Sequence, residues 1–164
     1  MSLRVEEALD RLAGPIYCVG ALFVATPIFD FVMNVWPPAP GMAEWRYGAI
    51  GLFAGFTLSP LLGSALIVWV ALVRGDRRTQ TLMAILNLTA AVLLLPLCVD
   101  FILDVVQLRS HIADRPDARW SYYAGAAKSL IKYLTIMAAL AWLGRTGWRS
   151  RPTQSTDPIV VRRS

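Results

Sequence analysis

Residues 79–108 read TQTLMAILNLTAAVLLLPLCVDFILDVVQL. The run holds no Lys or Arg, and its only charges are Asp100 and Asp104, near its end. At about 1.5 Å per residue, it is long enough as a helix to cross the roughly 30 Å hydrocarbon layer of a bilayer. A soluble helix would carry a polar face, and this run has none.

Three further runs have the same character: 12–36, 45–73 and 120–143. The whole chain of 164 residues is 56% hydrophobic and only 16% charged, with a mean hydropathy of +0.52. A soluble domain is nearer 45–50% apolar and about 25% charged, and a chain this small has too little interior to hide the excess. These features predict an all-α, integral membrane four-helix bundle over residues 1–144, followed by a basic tail over 145–164 that is disordered when alone. Residues 12–36 read as a retained helix rather than a signal peptide, because the apolar stretch is too long and acids precede it. Residues 2–11 suit a short amphipathic lead-in.

Orientation follows from the arginines outside the spans. Arg4 and Arg11, then Arg74, Arg77 and Arg78, then Arg145, Arg149, Arg151, Arg162 and Arg163 fall on one side; Arg46, Arg109, Arg115 and Arg119 fall on the other. Ten against four predicts both termini in the cytoplasm, with a bacterial cytoplasmic (inner) membrane as the expected location. Trp36, Trp45, Tyr47, Trp120, Tyr122 and Tyr123 would then mark the outer interface, and Trp69, Trp142 and Trp148 the inner one. The net charge of +5 sits in loops and tail, a placement that fits membrane orientation and anionic lipid better than nucleic acid.

Two constellations stand out. Gly51, Gly55, Ser59 and Gly63 are spaced by four, which places them on one face of a continuous helix. Small residues there allow close approach of another helix, either within the bundle or from another subunit or a second copy. Pro60 should kink that helix. The second constellation is a charge cluster in the expected outer leaflet: Asp30, Asp100, Asp104, Lys128 and Lys132. Asp100/Asp104 and Lys128/Lys132 are each one turn apart on adjacent antiparallel helices, a spacing that suggests mutual pairing. One reading is an ion-pair staple; the other is a polar pocket for an ion, proton or ligand headgroup. Arg46 could neutralise the remaining acid, Asp30. Asn87 reads as an interhelical hydrogen bond, and Cys18 and Cys98 as small buried hydrophobes.

Several chemistries lack their residues. His111 is the one histidine, and it lies in a loop, so neither a bis-histidine haem nor a helix-borne catalytic His is available. There is no H-E-x-x-H, no C-x-x-C and no phosphate-cradling G-x-x-x-x-G-K-[ST]. The expectation is therefore a non-catalytic small membrane protein without metal or cofactor. It would act as an auxiliary or structural subunit, packing against a larger assembly or itself. The alternative is a small carrier or ligand-binding protein using the Asp/Lys cluster.

Overall fold

The computed structural model describes residues 2–112 and 116–149, with side chains described for 11–110 and 119–148. His111, expected in a loop, belongs by its backbone to the last turn of α4, which runs on to Ile112; its side chain and most of the basic tail lie outside the described residues. The described residues form five helices and no strand: α1 Ser2–Val35, α2 Ala43–Phe56, α3 Leu58–Arg74, α4 Arg77–Ile112 and α5 Pro116–Arg149. Four stretches are long and apolar enough to cross a membrane: Arg11–Val35, Ala43–Arg74, Arg77–Ser110 and Arg119–Trp148.

The run expected as one helix over 45–73 is two helices meeting at Thr57. Pro60 removes a backbone donor, and the chain breaks three residues before it, within one helical turn. The Thr57 hydroxyl donates to the Ala54 carbonyl at 2.9 Å, and the Ser59 hydroxyl reaches across to the Phe23 carbonyl of α1 at 3.2 Å. Side-chain hydroxyls of this kind let a broken helix persist where water cannot solvate its backbone. Pro15 and Pro27 in α1 and Pro96 in α4 lie inside helices that continue through them.

The turn from α3 to α4 is tight. Gly75 has φ 66°, a left-handed conformation that suits glycine. Its N–H donates to the Leu72 carbonyl at 3.2 Å, and the Asp76 N–H to Ala71 at 3.0 Å, closing the last turn of α3. The Asp76 carboxylate then caps α4. It accepts from the Arg78 and Thr79 N–H groups at 3.2 and 3.3 Å and from the Thr79 hydroxyl at 2.7 Å. These hydrogen bonds, with Arg74 nearby, hold its carboxyl below the usual carboxylate range.

The core lies between α2, α4 and α5: Ile50, Ala54, Ala91, Leu94, Cys98, Phe101, Ala126, Tyr133, Ile136 and Leu140. α4 packs chiefly on α5, while α1 packs chiefly on α3 and touches α2, its backbone standing off from α4 and α5 among the described residues. Only 11% of the apolar window of α1 is buried by the rest of the chain. Its outer face carries Leu22, Phe29 and Met33, and similar faces on α4 and α5 carry Leu93, Val99, Leu103, Ile131 and Leu134. Lipid is the solvent that suits such faces. Cys98 is buried as expected, whereas Cys18 is exposed on the outer side of α1.

Trp36 and Trp120 are exposed at the Pro40 end of the bundle, and Trp69, Trp142 and Trp148 are exposed on the halves of their helices toward Gly75. Tyr47 and Tyr122 depart from the expected aromatic belt. They stack inside the Pro40 end, Tyr47 lying 5.2 Å from the Phe101 ring and 5.0 Å from the Tyr122 ring.

Candidate functional site

Asp104 projects from α4 with a side chain only 2% exposed. A carboxylate at that position needs a strong partner, because an isolated buried charge is costly. Arg46, from the first turn of α2, supplies it. Arg46 Nη2 donates to Oδ1 at 2.6 Å, and Nε lies 3.2 Å from both carboxylate oxygens. Its remaining arm, Nη1, donates to the Pro40 carbonyl at 2.9 Å. One guanidinium thus ties together the first loop, α2 and α4, using a planar fork that Lys lacks. The Tyr122 hydroxyl donates to the carbonyl of Val105, the next residue along α4, at 2.9 Å, and joins α5 to the same region.

This pairing differs from the one the spacing suggests. Asp104 meets Arg46 rather than Lys128 or Lys132, and Arg46 is therefore not the partner of Asp30. The reason is helix rotation: Asp104 turns toward α2, while Asp100, one turn earlier, is exposed. Asp30 and Lys128 are also exposed, and Lys132 is half-buried. Among the described residues no hydrogen bond or salt bridge reaches the carboxylates of Asp30 and Asp100 or the amines of Lys128 and Lys132. Near Asp30 the side chain of Asn34 donates to the Asp30 backbone carbonyl at 2.8 Å, a bond within the helix.

The small-residue series also divides, because the break at Thr57 removes its common face. Ser59 and Gly63 face α1. A Cβ added to Gly63 would stand 2.5 Å from the Gly20 carbonyl oxygen, and one added to Gly20 would stand 2.7 Å from Ile67 Cγ1. Gly51 instead looks toward α4, where Phe101 is 3.9 Å from its added Cβ, and Gly55 meets nothing within 4 Å. A second close crossing arises from glycines outside the series. Gly144 and Gly147 of α5 press on α4, with Leu88 Cγ at 2.7 Å and the Gln80 carbonyl at 3.2 Å from their added Cβ atoms.

A cavity of about 470 Å³ opens where α1 stands away from α4. Its walls include Val24 and Ile28 of α1, Phe53 of α2, and Leu93 and Leu97 of α4. Its polar groups are Thr57, Ser64 and Asn87. The Ser64 hydroxyl donates to Asn87 Oδ1 at 2.7 Å, the interhelical hydrogen bond expected of Asn87, here between α3 and α4. Asn87 Nδ2 is buried and has no partner.

No protein-family model, curated protein or solved structure matches this chain. Its chemistry is therefore read from its own geometry. Among the described residues no three His, Cys, Asp or Glu side chains converge as metal ligands would. Sequence reasoning missed Tyr133, whose hydroxyl donates to the Ile50 carbonyl at the centre of the core. Its place in an apolar stretch gave no sign of a polar contact.

Proposed function

We propose that this chain is a non-catalytic subunit of a bacterial inner-membrane assembly, oriented with both termini in the cytoplasm. It joins its neighbours, whether other subunits or further copies, through charges on the outer-leaflet half of the bundle. The observation that carries this reading is the state of Asp100, Lys128 and Lys132. All three lie within apolar spans, and among the described residues none forms a salt bridge or hydrogen bond through its charged group, Asp100 sensing Arg46 only at longer range. A charge inside the hydrocarbon costs several kcal/mol on most scales, so an outward-facing one calls for a partner. Asp104, by contrast, is already satisfied by Arg46. The basic residues of 145–164 would add attraction to anionic headgroups or to an acidic partner surface.

A carrier that gathers Asp30, Asp100, Asp104, Lys128 and Lys132 about one pocket has less support. Asp104 is occupied by Arg46, and the cavity between α1 and α4 is lined by none of the five.

Native mass spectrometry of the full chain, extracted in a mild detergent, tests the proposal. The expected result is an assembly larger than the monomer. It should dissociate in a Lys128→Met/Lys132→Met variant whose helical content is unchanged. A wild-type chain that stays monomeric, without co-purifying protein, overturns it.

A further inference from the structure

We infer that the cavity between α1 and α4 is a binding site for a lipid-soluble carbonyl compound of the quinone class, held by a hydrogen bond from Asn87 Nδ2. Asn87 is 3% exposed, and one end of its amide is engaged by Ser64. The other end, Nδ2, is a buried donor with no acceptor. Buried donors in folded proteins are nearly always paired, because an unpaired one forfeits the hydrogen bond it makes in water. Here the residue that carries the unpaired donor also lines a cavity, so a ligand oxygen in that cavity would complete the set.

The cavity fits such a ligand in size and in lining. Its volume of about 470 Å³ lies in the range of small-molecule sites, roughly 300–1,000 Å³. Its wall is apolar apart from Thr57, Ser64 and Asn87, and the Thr57 hydroxyl is already engaged with Ala54. One orienting donor in an apolar wall is the usual composition of a site for a largely apolar molecule. The gap exists because the backbone of α1 packs on α3 and stands off from that of α4 among the described residues, which leaves room for a molecule dissolved in the bilayer to enter sideways.

Depth decides between classes of lipid. Asn87 lies about 15 Å of helix beyond the charged turn at Arg77, near the middle of a hydrocarbon layer of about 30 Å. The ester carbonyls of a phospholipid sit at the interface, so only its oxygen-free chains would reach Asn87. A ring carbonyl on a lipid-soluble molecule can be carried to that depth. The site does not depend on the subunit reading above, since a monomer contains all of it.

The test uses the full chain in phosphatidylcholine nanodiscs, titrated with decylubiquinone and, separately, with decylbenzene, which has no oxygen. Thermal unfolding is followed for each. The quinone should raise Tm saturably, with half-saturation about tenfold lower than decylbenzene, the factor one net buried hydrogen bond supplies. Asn87→Leu should raise the quinone half-saturation to that of decylbenzene and leave decylbenzene unchanged. Ala90→Phe, which fills the cavity while leaving Asn87 in the sequence, should abolish both responses and serves if the Asn87 variant fails to fold. The inference is overturned if the two compounds act alike on the wild-type chain. It is also overturned if either variant keeps the wild-type quinone response, or if a photoreactive phosphatidylcholine chain labels Leu93 and Leu97 equally with and without quinone.

Discussion

At the scale of single residues, Arg46 and Asp104 show how a buried carboxylate constrains its surroundings. Removing the guanidinium leaves a charge at 2% exposure, and removing the carboxylate frees a cation that retains the Pro40 carbonyl. Breaking a buried pair from one side is more harmful than replacing both partners with apolar groups. Arg46→Ala should therefore lower Tm more than Arg46→Met/Asp104→Leu does, and a double-mutant cycle read by thermal unfolding should give a clear coupling between the two sites. Arg46→Lys should fail to restore the wild-type value, because an ammonium cannot span both carboxylate oxygens. Asp76 illustrates the opposite regime, a carboxylate in a turn near water. Its folded pKa is depressed, so its stabilisation is present above the unfolded value near 3.8 and is lost as pH falls through the lower folded value. Asp76→Ala should cost about 1 kcal/mol at neutral pH, as loss of a helix cap does. That gap should shrink on acidification, which unfolding curves collected across the acid range would show.

At the scale of elements, the α1–α3 crossing depends on the absence of side chains at Gly20 and Gly63. A methyl on Gly63 would meet the Gly20 backbone oxygen, which cannot move aside as a flexible side chain can. Gly63→Ala should destabilise by about 1–3 kcal/mol, the usual range for overpacking. Gly55→Ala should be neutral or slightly stabilising, since its Cβ meets open space and Ala is the better helix former. Unfolding of both variants in mixed micelles separates the two outcomes, although the sequence places both glycines in one regular series. The same contrast marks how far the sequence could be read. The four spans were legible because apolar length alone specifies them. The break at Thr57 was partly legible through Pro60, but its effect on the face shared by Gly51 and Gly63 was not. Helix rotation was not legible either. In lipid the outward faces, such as Leu93 and Leu103, are as apolar as inward ones such as Leu94 and Phe101, so periodicity gives no bearing on the core. That is why spacing alone pairs the acid at 104 with a lysine, whereas the fold pairs it with Arg46. Asn87 was legible as an interhelical hydrogen bond, but the cavity beside it was not, because it exists only where α1 stands away from α4.

At the scale of the whole molecule, the orientation proposed here follows from a charge asymmetry distributed along the entire chain. Ten arginines flank the spans on the side of the termini and the Gly75 turn, against four on the side of Pro40. Positively charged segments are held back during insertion, and the bias acts mainly through short loops and residues close to the span ends. Arg74, Arg77 and Arg78 are all close to span ends, flanking the two-residue turn of Gly75 and Asp76 that separates α3 from α4. On the other side, Arg46 is drawn into the bundle by Asp104, so its weight as a free loop charge is reduced once the chain has folded. The folded asymmetry is thus at least as strong as the count. Reporters fused to the two ends should both give a cytoplasmic signal, and a cysteine introduced at Gly41 should react with a membrane-impermeant thiol reagent added from outside. Because Arg74, Arg77 and Arg78 supply only part of the bias, replacing all three with Ala should leave the end reporters unchanged. Opposite signals from the two ends would mean that one of the four apolar stretches does not cross, and an Arg-to-Ala variant that inverted would show that the turn alone directs insertion.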